Sequence, residues 1–358
     1  MAQLLSGSSD KISPVLLSEG VSVADVAAGI PYIQLPSTAH LRESLRHAPD
    51  TAALLFDASV AMVTAALTAI RPRVIVHDTF VWPPLLHAAR LMGMRQVLSL
   101  RPRRDFAEYL AGQRCPVRDM DLVFVPDRVE HHPQFGAALR AAGISPIWAG
   151  PLYRLPQSEI PALRSSIGVT PHQKLITVTS GGGSGQDSGQ FFTQVISALH
   201  KFSDLDCVVA VVLGPLSRIA LDVPATFPHD LRVWRAAPDM PSLLAASDLI
   251  VCRGGYGTIH EAVSTGAPVL AQPAERVVDD QVSRLLAHQA EGRCEIFGPT
   301  ATQRSVAGQI EELLQRPRQD PVTTTDTFAY ARLARQIVDL ALAQPAPGSL
   351  HSLAEMHM

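Results

Sequence analysis

The sequence has few cysteines and no excess of charge of either sign. Its four cysteines stand far apart and form no C-x-x-C pair, at Cys115, Cys207, Cys252 and Cys294. This spacing excludes a disulfide framework and a zinc ribbon, and it predicts buried, reduced thiols of a cytoplasmic protein. The 30 basic and 33 acidic residues leave a formal charge of -3, which disfavours nucleic acid and anionic membrane surfaces as partners.

The chain also lacks a recognisable export signal and an uninterrupted membrane-spanning run. Residues 1–10 contain no basic region and only a short apolar one, unlike a secretory leader. The most apolar stretch, Thr51 to Ile70, contains Asp57 and Thr64, so we expect a helix packed in a core rather than a membrane span. We therefore expect a soluble protein.

What the sequence does have is a regular alternation of short apolar runs with helical segments. With 358 residues, 47% of them hydrophobic, the chain has room for two domains with a core each. Such alternation is typical of buried parallel strands joined by helices, so the predicted fold class is α/β. The predicted strands cover residues 32–36, 73–77, 96–100, 122–125, 175–179, 207–213, 231–234, 249–251 and 269–271.

The alternation breaks after Trp148, where a polar segment with several prolines runs to about Pro161. We place the domain boundary there. The predicted limits are residues 1–152 for the N-terminal domain, 153–345 for the C-terminal domain and 346–358 for a loose tail.

A loop rich in glycine and serine, residues 179–187, separates a predicted strand from a predicted helix. It includes Gly182, Gly183 and Ser184. Glycines let backbone N–H groups approach an anion closely, and the helix N-terminus adds a favourable dipole, so the loop suits a diphosphate. Its spacing matches neither a Walker loop nor a dinucleotide fingerprint. A flexible loop without a ligand is the alternative.

A second predicted strand is followed at once by an arginine and further glycines. Arg253 can neutralise a phosphate, and the amides of Gly255, Gly257 and Thr258 lie at the start of the next helix. Glu261 falls one turn into that helix, where its carboxylate can accept hydrogen bonds from two ribose hydroxyls. The alternative is an acid that interacts with the helix dipole.

A third predicted strand ends in a proline turn, and Asp280 and Gln281 then open another helix. An Asp-Gln pair that faces a cleft can bind neighbouring hydroxyls of a sugar, because it combines acceptors with donors. An N-cap with polar neighbours is the alternative.

Together the three motifs resemble the C-terminal donor domain of the GT-B glycosyltransferases, over about residues 174–296. Their order is a Gly/Ser loop, then strand-Arg-Gly-Gly-x-x-T-x-x-E-A, G-x-P-x-x-x-x-P and D-Q. The likeness is to the family 28 and family 1 branch, which includes the lipid-II-forming N-acetylglucosaminyltransferases, the UDP-glucuronosyltransferases and bacterial predicted glycosyltransferases. The resemblance implies two Rossmann-like domains that face a cleft.

The resemblance also implies roles for individual residues. The residues that would hold the donor diphosphate are Gly182, Gly183, Ser184, Arg253, Gly255, Gly257 and Thr258. Glu261 would bind the ribose, and Asp280 and Gln281 would bind the transferred sugar. Backbone around Arg235 and Ala237 would read the nucleobase, at a position where the family often has an aromatic residue and this chain has alanine.

The N-terminal half resembles the family's acceptor domain only over short stretches. Residues 71–78 resemble a strand followed by an aspartate, residues 3–8 the second strand and residues 29–36 the third. The family's first strand, glycine-rich loop and helix have no counterpart, so we expect an N-terminal domain that lacks its first βα unit. Either translation starts upstream of Met1, or the domain is degenerate. By the same resemblance, the helix over residues 328–343 would cross back to this domain.

The missing unit is where the family carries its catalytic base. An inverting transfer needs a group that takes the proton of the acceptor hydroxyl. Asp78 and His77, at the carboxyl end of a predicted strand, are the remaining candidates, with Asp78 preferred. The alternatives are a helix-capping aspartate and a structural histidine. Phe80 and Trp82 could line an apolar acceptor pocket or belong to the core.

Two D-x-D pairs match the spacing found in metal-dependent transferases. They are Asp119 with Asp121, and Asp204 with Asp206. Both pairs precede their strands, at the end of the sheet opposite to the expected ligand site. We therefore expect solvated turns, no metal site and no cofactor, as the resemblance also implies.

From these observations we expect a glycosyltransferase of the hexosyltransferase type, which moves a sugar from a nucleotide-diphosphate donor, a UDP-sugar, to an acceptor that the sequence does not identify. One alternative is a nucleotide-sugar hydrolase or epimerase on the same fold. Another is a non-catalytic, donor-binding subunit that needs a partner subunit. The expected location is the cytoplasm, at the inner membrane if the acceptor is a lipid.

Overall fold

The computed structural model describes residues 13–19, 31–35, 50–112, 115–182, 187–215, 217–237, 239–322 and 327–343. The strand expected at residues 3–8 and the tail from residue 346 lie outside these ranges. Gly183 and Ser184 of the first glycine loop lie outside them as well.

The described strands alternate with helices, as the pattern of apolar runs predicts. The strands are β1 (Leu16–Glu19), β2 (Tyr32–Leu35), β3 (Val74–Asp78), β4 (Arg95–Ser99), β5 (Leu122–Val125), β6 (Ile147–Trp148), β7 (Lys174–Thr179), β8 (Cys207–Val212), β9 (Asp230–Trp234), β10 (Leu249–Arg253), β11 (Val269–Gln272) and β12 (Glu295–Ile296). The α-helices are α1 (Thr51–Ile70), α2 (Pro83–Leu91), α3 (Phe106–Ala111), α4 (Pro133–Ala141), α5 (Ile160–Ser166), α6 (Ser188–Leu199), α7 (Met240–Ala246), α8 (Tyr256–Ser264), α9 (Gln281–Ala290), α10 (Gln303–Gln315) and α11 (Thr327–Leu342). The α/β fold class is confirmed.

The second half of the chain, which contains β7 to β12, forms a six-stranded parallel sheet in the order β12-β11-β10-β7-β8-β9. The first half contains β1 to β6. β8 is buried along its whole length, because α6 and α10 pack on one of its faces and α7 on the other. Helices α8 and α9 cover β10 and β11. The chain leaves β7 for β8 on one side and continues beyond β10 on the other. The carboxyl ends of β7 and β10 therefore flank the point where the strand order reverses, which is where open α/β sheets bind ligands.

The first half contains two parallel sheets. One has the order β3-β4-β5-β6, and the other pairs β1 with β2. Within the described ranges no strand bridges β1 or β2 to β3. The two sheets nevertheless share one hydrophobic cluster, in which Leu35 from β2 and Ile75 from β3 pack with residues of α1 and α2.

The last described helix belongs to the core of the first half. Leu333, Ala334 and Ile337 of α11 pack against Val97 of β4 and Phe124 of β5. The expected crossing of this helix back to the N-terminal domain is therefore confirmed. The residue limits of the domains stay predictions.

Helix α1 is the described helix that is long and apolar enough to cross a membrane by length and composition alone. Its buried side chains form a single stripe, Leu55, Ser59, Val63 and Leu67, of which Val63 and Leu67 pack in the cluster shared with β3. About a fifth of its most apolar stretch (22%) is buried, so the expected packing in a core holds for one face of the helix alone. Asp50 precedes the helix in a left-handed conformation, and its side chain makes no capping hydrogen bond. Its backbone carbonyl accepts the first helical hydrogen bonds instead.

Candidate functional site

The two glycine-rich loops meet at the carboxyl ends of β7 and β10. Gly181 follows β7 with a φ of +74°, and a Cβ at this position would lie 2.8 Å from the hydroxyl oxygen of Thr258 in the first turn of α8. The N–H of Gly181 donates to the hydroxyl of Thr179 (3.1 Å). Only glycine combines this conformation with so close an approach, so Gly181 brings the end of β7 into contact with the first turn of α8.

Arg253 lies at the end of β10, buried between the two loops. Its guanidinium donates to the carboxylate of Asp187, at the end of the first loop, and to the carbonyl oxygen of the same residue (3.3 Å). Burial acts to raise the pKa of Asp187, but the Arg253 guanidinium outweighs it, so that pKa lies below its usual value. The Nε of Arg253 is buried and has no hydrogen-bond partner within the described ranges.

The N-terminus of α8 is open to a ligand. Gly255 is its N-cap residue and provides no side-chain cap. Cβ atoms built at Gly182, Gly255 or Gly257 would have no neighbour within 4 Å. The first N–H groups of α8 can therefore reach an anion, and the helix dipole favours a negative charge there.

Glu261 lies one turn further along α8 and is buried. Its Oε1 accepts a hydrogen bond from Nε of Arg154 (2.9 Å), and the Arg154 side chain is about half exposed. The predicted contact with ribose would require the carboxylate to share or exchange this partner.

Asp280 and Gln281 open α9, and both side chains already have partners in the protein. Oδ1 of Asp280 caps the helix by accepting from the N–H of Ser283 (3.2 Å). The Gln281 amide accepts from the N–H of Ala274 (2.8 Å) and donates to Asp279 (3.1 Å). Their predicted role in sugar binding stays a prediction.

The stretch predicted to read the nucleobase follows β9. A guanidinium N–H of Arg235 donates to the carbonyl oxygen of Ser217 (2.7 Å), and Ala237 packs against a hydrophobic cluster formed by β7, β8 and α7. Contact of either residue with a base stays a prediction.

The two candidate bases lie in different environments at the end of β3. The His77 ring is buried, with Nε2 2.8 Å from Oε1 of Gln96, and burial lowers its pKa. The Asp78 side chain is 72% exposed and lies 3.9 Å from the guanidinium of Arg101. Trp82 is buried in the core, whereas Phe80 is 65% exposed. Of the two, Asp78 is the one that an acceptor can reach.

The D-x-D pairs lie at the amino ends of their strands, as expected. Asp121 accepts from Arg95 (2.7 Å), Asp119 pairs with Arg90, and Asp206 accepts from Gln173 (2.9 Å). These carboxylates pair with side chains away from the glycine loops.

Contacts between the two halves of the chain border the site, and the sequence did not reveal them. The hydroxyl of Tyr256 donates to the carbonyl of Pro126 and accepts from the N–H of Leu152 (2.6 Å). The Arg101 guanidinium lies 4.6 Å from the centre of the Tyr256 ring. The N–H of Asp280 donates to the carbonyl of Pro102 (2.8 Å). The first half thus closes directly over the loop that opens α9.

Asp127 is the centre of this interface and is completely buried. It lies beyond the carboxyl end of β5, and its carboxylate accepts from His131 (3.2 Å), His132 (3.1 Å) and Arg284 of α9 (3.0 Å). Burial opposes ionisation, but the hydrogen bonds from the surrounding histidines outweigh it and hold the pKa of Asp127 well below its usual value. Its position after a parallel strand is the one sequence signal that could have drawn attention to it.

Comparison with known sequences agrees with this architecture. Residues 217–337 match the profile described as glycosyltransferase family 28 C-terminal domain. A UDP-N-acetylglucosamine–N-acetylmuramyl-(pentapeptide) pyrophosphoryl-undecaprenol N-acetylglucosamine transferase of Solibacter usitatus is 35% identical over 113 residues, 28% of either chain. The chain spans about a quarter of the length of the curated relatives it matches.

Comparison with solved structures covers nearly the whole chain. Spinosyn forosaminyltransferase SpnP has a TM-score of 0.54 at 18% identity, over 99% of this chain and 93% of its own. UGT89C1 of Arabidopsis thaliana has a TM-score of 0.58 at 16% identity, over 92% of each chain. At this level of identity the likeness establishes the fold, which is that of the GT-B glycosyltransferases.

Proposed function

We propose that this chain, a member of the GT-B glycosyltransferase superfamily, transfers a hexose-type sugar from a UDP-sugar to an acceptor hydroxyl. The observation that carries the proposal is the meeting of two glycine loops around Arg253, where the strand order reverses. This arrangement places the uncapped N-terminus of α8 and one buried guanidinium at the same end of the sheet. A diphosphate matches both.

The donor diphosphate would bind through the amides of Gly182, Gly255 and Gly257, with Arg253 as the cation. As the bond from sugar to diphosphate breaks, negative charge grows on the leaving group. A preorganised guanidinium and a helix N-terminus stabilise such charge without rearrangement. We therefore propose that these groups, and no cofactor, take up the leaving charge.

The nucleoside and the sugar would lie on either side of the diphosphate. Glu261 would accept hydrogen bonds from the ribose hydroxyls after releasing Arg154, which is exposed enough to move away. Oδ2 of Asp280 would accept a hydrogen bond from the sugar, because Oδ1 already accepts the capping hydrogen bond of α9. The names of the curated relatives begin with UDP-N-acetylglucosamine, which supports UDP as the nucleotide.

The acceptor would approach from the first half of the chain. Asp78 is exposed at the carboxyl end of β3 and can take the hydroxyl proton while the diphosphate leaves. The names of the same relatives also contain a pyrophosphoryl-undecaprenol compound, which would be their acceptor. A lipid-linked acceptor would bring this protein to the cytoplasmic face of a membrane.

A donor-binding subunit is the second candidate. It is favoured by the first half of the chain, in which the described strands form two separate sheets and His77 is buried against Gln96. In that case the chain would hold the UDP-sugar, and a partner would supply the base.

One experiment separates these candidates. Purified chain is incubated with a panel of UDP-sugars, with and without a mixture of polyprenyl and small hydroxyl acceptors, and released UDP is measured. The transferase predicts UDP release that depends on acceptor, and a hydrolase predicts release without it. Donor binding without release under any condition would favour the subunit, and no binding of any donor would contradict the proposal.

A further inference from the structure

A second cluster of polar side chains lies at the interface between the two halves, outside the glycine loops. It consists of His131, just before α4, His288 in the last turn of α9, and Glu291 just after that helix. One ligand atom from each lies within 4.8 Å of the others. Both histidine side chains are almost completely buried, and the Glu291 side chain is 40% exposed.

We propose that His131, His288 and Glu291 form a binding site for a divalent cation of the Zn²⁺ type, which joins the two halves of the chain. Two imidazole nitrogens and one carboxylate oxygen are a ligand set that Zn²⁺ takes in proteins. The inference does not depend on the proposed sugar transfer, because none of the three residues belongs to the donor site.

The distances suit a tetrahedral ion. Nε2 of His131 lies 3.2 Å from Oε1 of Glu291, and Nδ1 of His288 lies 3.6 Å from Oε2. Bonds of about 2.0–2.2 Å to a tetrahedral ion place neighbouring ligand atoms roughly 3.3–3.6 Å apart. These two distances run to different oxygens of Glu291, and the three ligand atoms lie within 4.8 Å of one another, so the side chains would draw together around a bound ion.

His288 needs a partner that the described part of the chain does not provide. Both of its ring nitrogens are buried without a hydrogen bond, although buried polar groups are rarely left unpaired. The ring is buried next to Glu291 and His131, and its Nδ1 lies 3.6 Å from Oε2 of Glu291. Neutral imidazole is the form that binds metal ions.

His131 is oriented toward the proposed ion by Asp127. Its Nδ1 donates to Oδ1 of Asp127 (3.2 Å), which leaves Nε2 directed at Glu291. Asp127 is itself fixed by Arg284 and by the N–H of Arg128. A carboxylate that holds the far nitrogen of a ligating histidine is a recurrent arrangement around protein-bound metals.

A cavity of about 410 Å³ adjoins His288 and Glu291, and Tyr153, His260 and Arg293 also line it. It has room for a water molecule as the fourth ligand. Because His131 comes from the first half and His288 and Glu291 from the second, a bound ion would fix the position of one half against the other.

The test uses full-length protein without a histidine tag, stripped with a chelator and dialysed. Calorimetric titration with Zn²⁺, and titration with Co²⁺ followed by visible absorbance, should give one ion per chain with the strong absorption of a tetrahedral Co²⁺ site. His288→Ala and Glu291→Gln should each weaken binding by at least about tenfold. His172→Ala, which removes an exposed histidine, should leave it unchanged.

Two results would overturn the proposal. Wild-type protein that binds no stoichiometric Zn²⁺ or Co²⁺ would show that the cluster is not a cation site. Equal affinity in wild type and in both ligand variants would place the ion elsewhere. Circular dichroism checks that the variants fold, and if they do not, the wild-type titration alone decides.

Discussion

At the scale of single residues, Arg253 and Glu261 share one property. Each is a buried charged group whose present partner is much more exposed: Asp187 for Arg253 and Arg154 for Glu261. A buried charge needs a partner at all times, and an exposed partner costs little to displace. Both residues can therefore exchange an internal partner for a ligand.

Replacing Glu261 by Ala should weaken binding of a UDP-sugar by about 1–3 kcal/mol, because hydrogen bonds to a charged acceptor are lost. Arg154→Ala is the matched control: it frees the same carboxylate, so affinity should stay equal or rise. Calorimetry measures both. If Arg154→Ala weakens binding as much as Glu261→Ala, the ion pair and not the ribose contact would explain the effect.

Replacing Asp78 by Asn should lower kcat by about 10²–10⁴ with nearly unchanged stability, because the proton acceptor is lost and the shape is kept. Steady-state kinetics and urea unfolding measure the two quantities. His77→Gln serves as the comparison. It should lower the free energy of unfolding more than kcat, because the ring is buried against Gln96. Unchanged turnover in Asp78→Asn would remove Asp78 from the mechanism.

At the scale of elements, the donor site depends on the contact between two loops. Gly181→Ala should cost about 1–2 kcal/mol for its left-handed conformation, plus the clash with Thr258. Gly182→Ala, at a neighbouring position with open space around its Cβ, should cost less than about 0.5 kcal/mol. Urea unfolding compares the two variants. An equal loss of unfolding free energy in Gly181→Ala and Gly182→Ala would mean that the loops do not pack as described.

The long strands of the second half could be predicted from the sequence because strands buried on both faces produce continuous apolar runs. Cys207–Val212 is one such strand. Three helices of six to nine residues were missed, Phe106–Ala111, Pro133–Ala141 and Ile160–Ser166, since so few turns give little periodicity.

The glycine loops of the site were recognisable because their motif is local. Asp127 and Arg284 were not, because 157 positions separate them and only the fold brings them together.

At the scale of the whole molecule, a buried ionic network holds the two halves together. Arg284 is completely buried between Asp127 of the first half and Asp279 of the second. The carboxylates need this cation, since a buried charge left without a partner is strongly destabilising. The relative position of the halves, and hence the width of the cleft, depends on it.

Replacing Arg284 by Met should therefore lower the free energy of unfolding by about 3–5 kcal/mol, because it removes the guanidinium that pairs with the buried Asp127 carboxylate. Arg304→Met, at an exposed position of α10, is the control and should change stability by less than about 0.5 kcal/mol. Urea unfolding measures both. A loss below about 1 kcal/mol in Arg284→Met would show that the network does not hold the interface.

The most direct measurement of the central claim is calorimetric binding of UDP and of uridine to wild type and Arg253→Ala. If Arg253 holds the diphosphate, the variant should bind UDP more weakly by about 1.5–3 kcal/mol, the contribution of hydrogen bonds to a charged group. Its affinity for uridine should be unchanged, which also shows that the site is still folded. The UDP affinity of Arg253→Lys should lie between those of wild type and Arg253→Ala, because lysine keeps the charge and loses the paired donors. Unchanged UDP affinity in Arg253→Ala, with uridine still bound, would contradict the account.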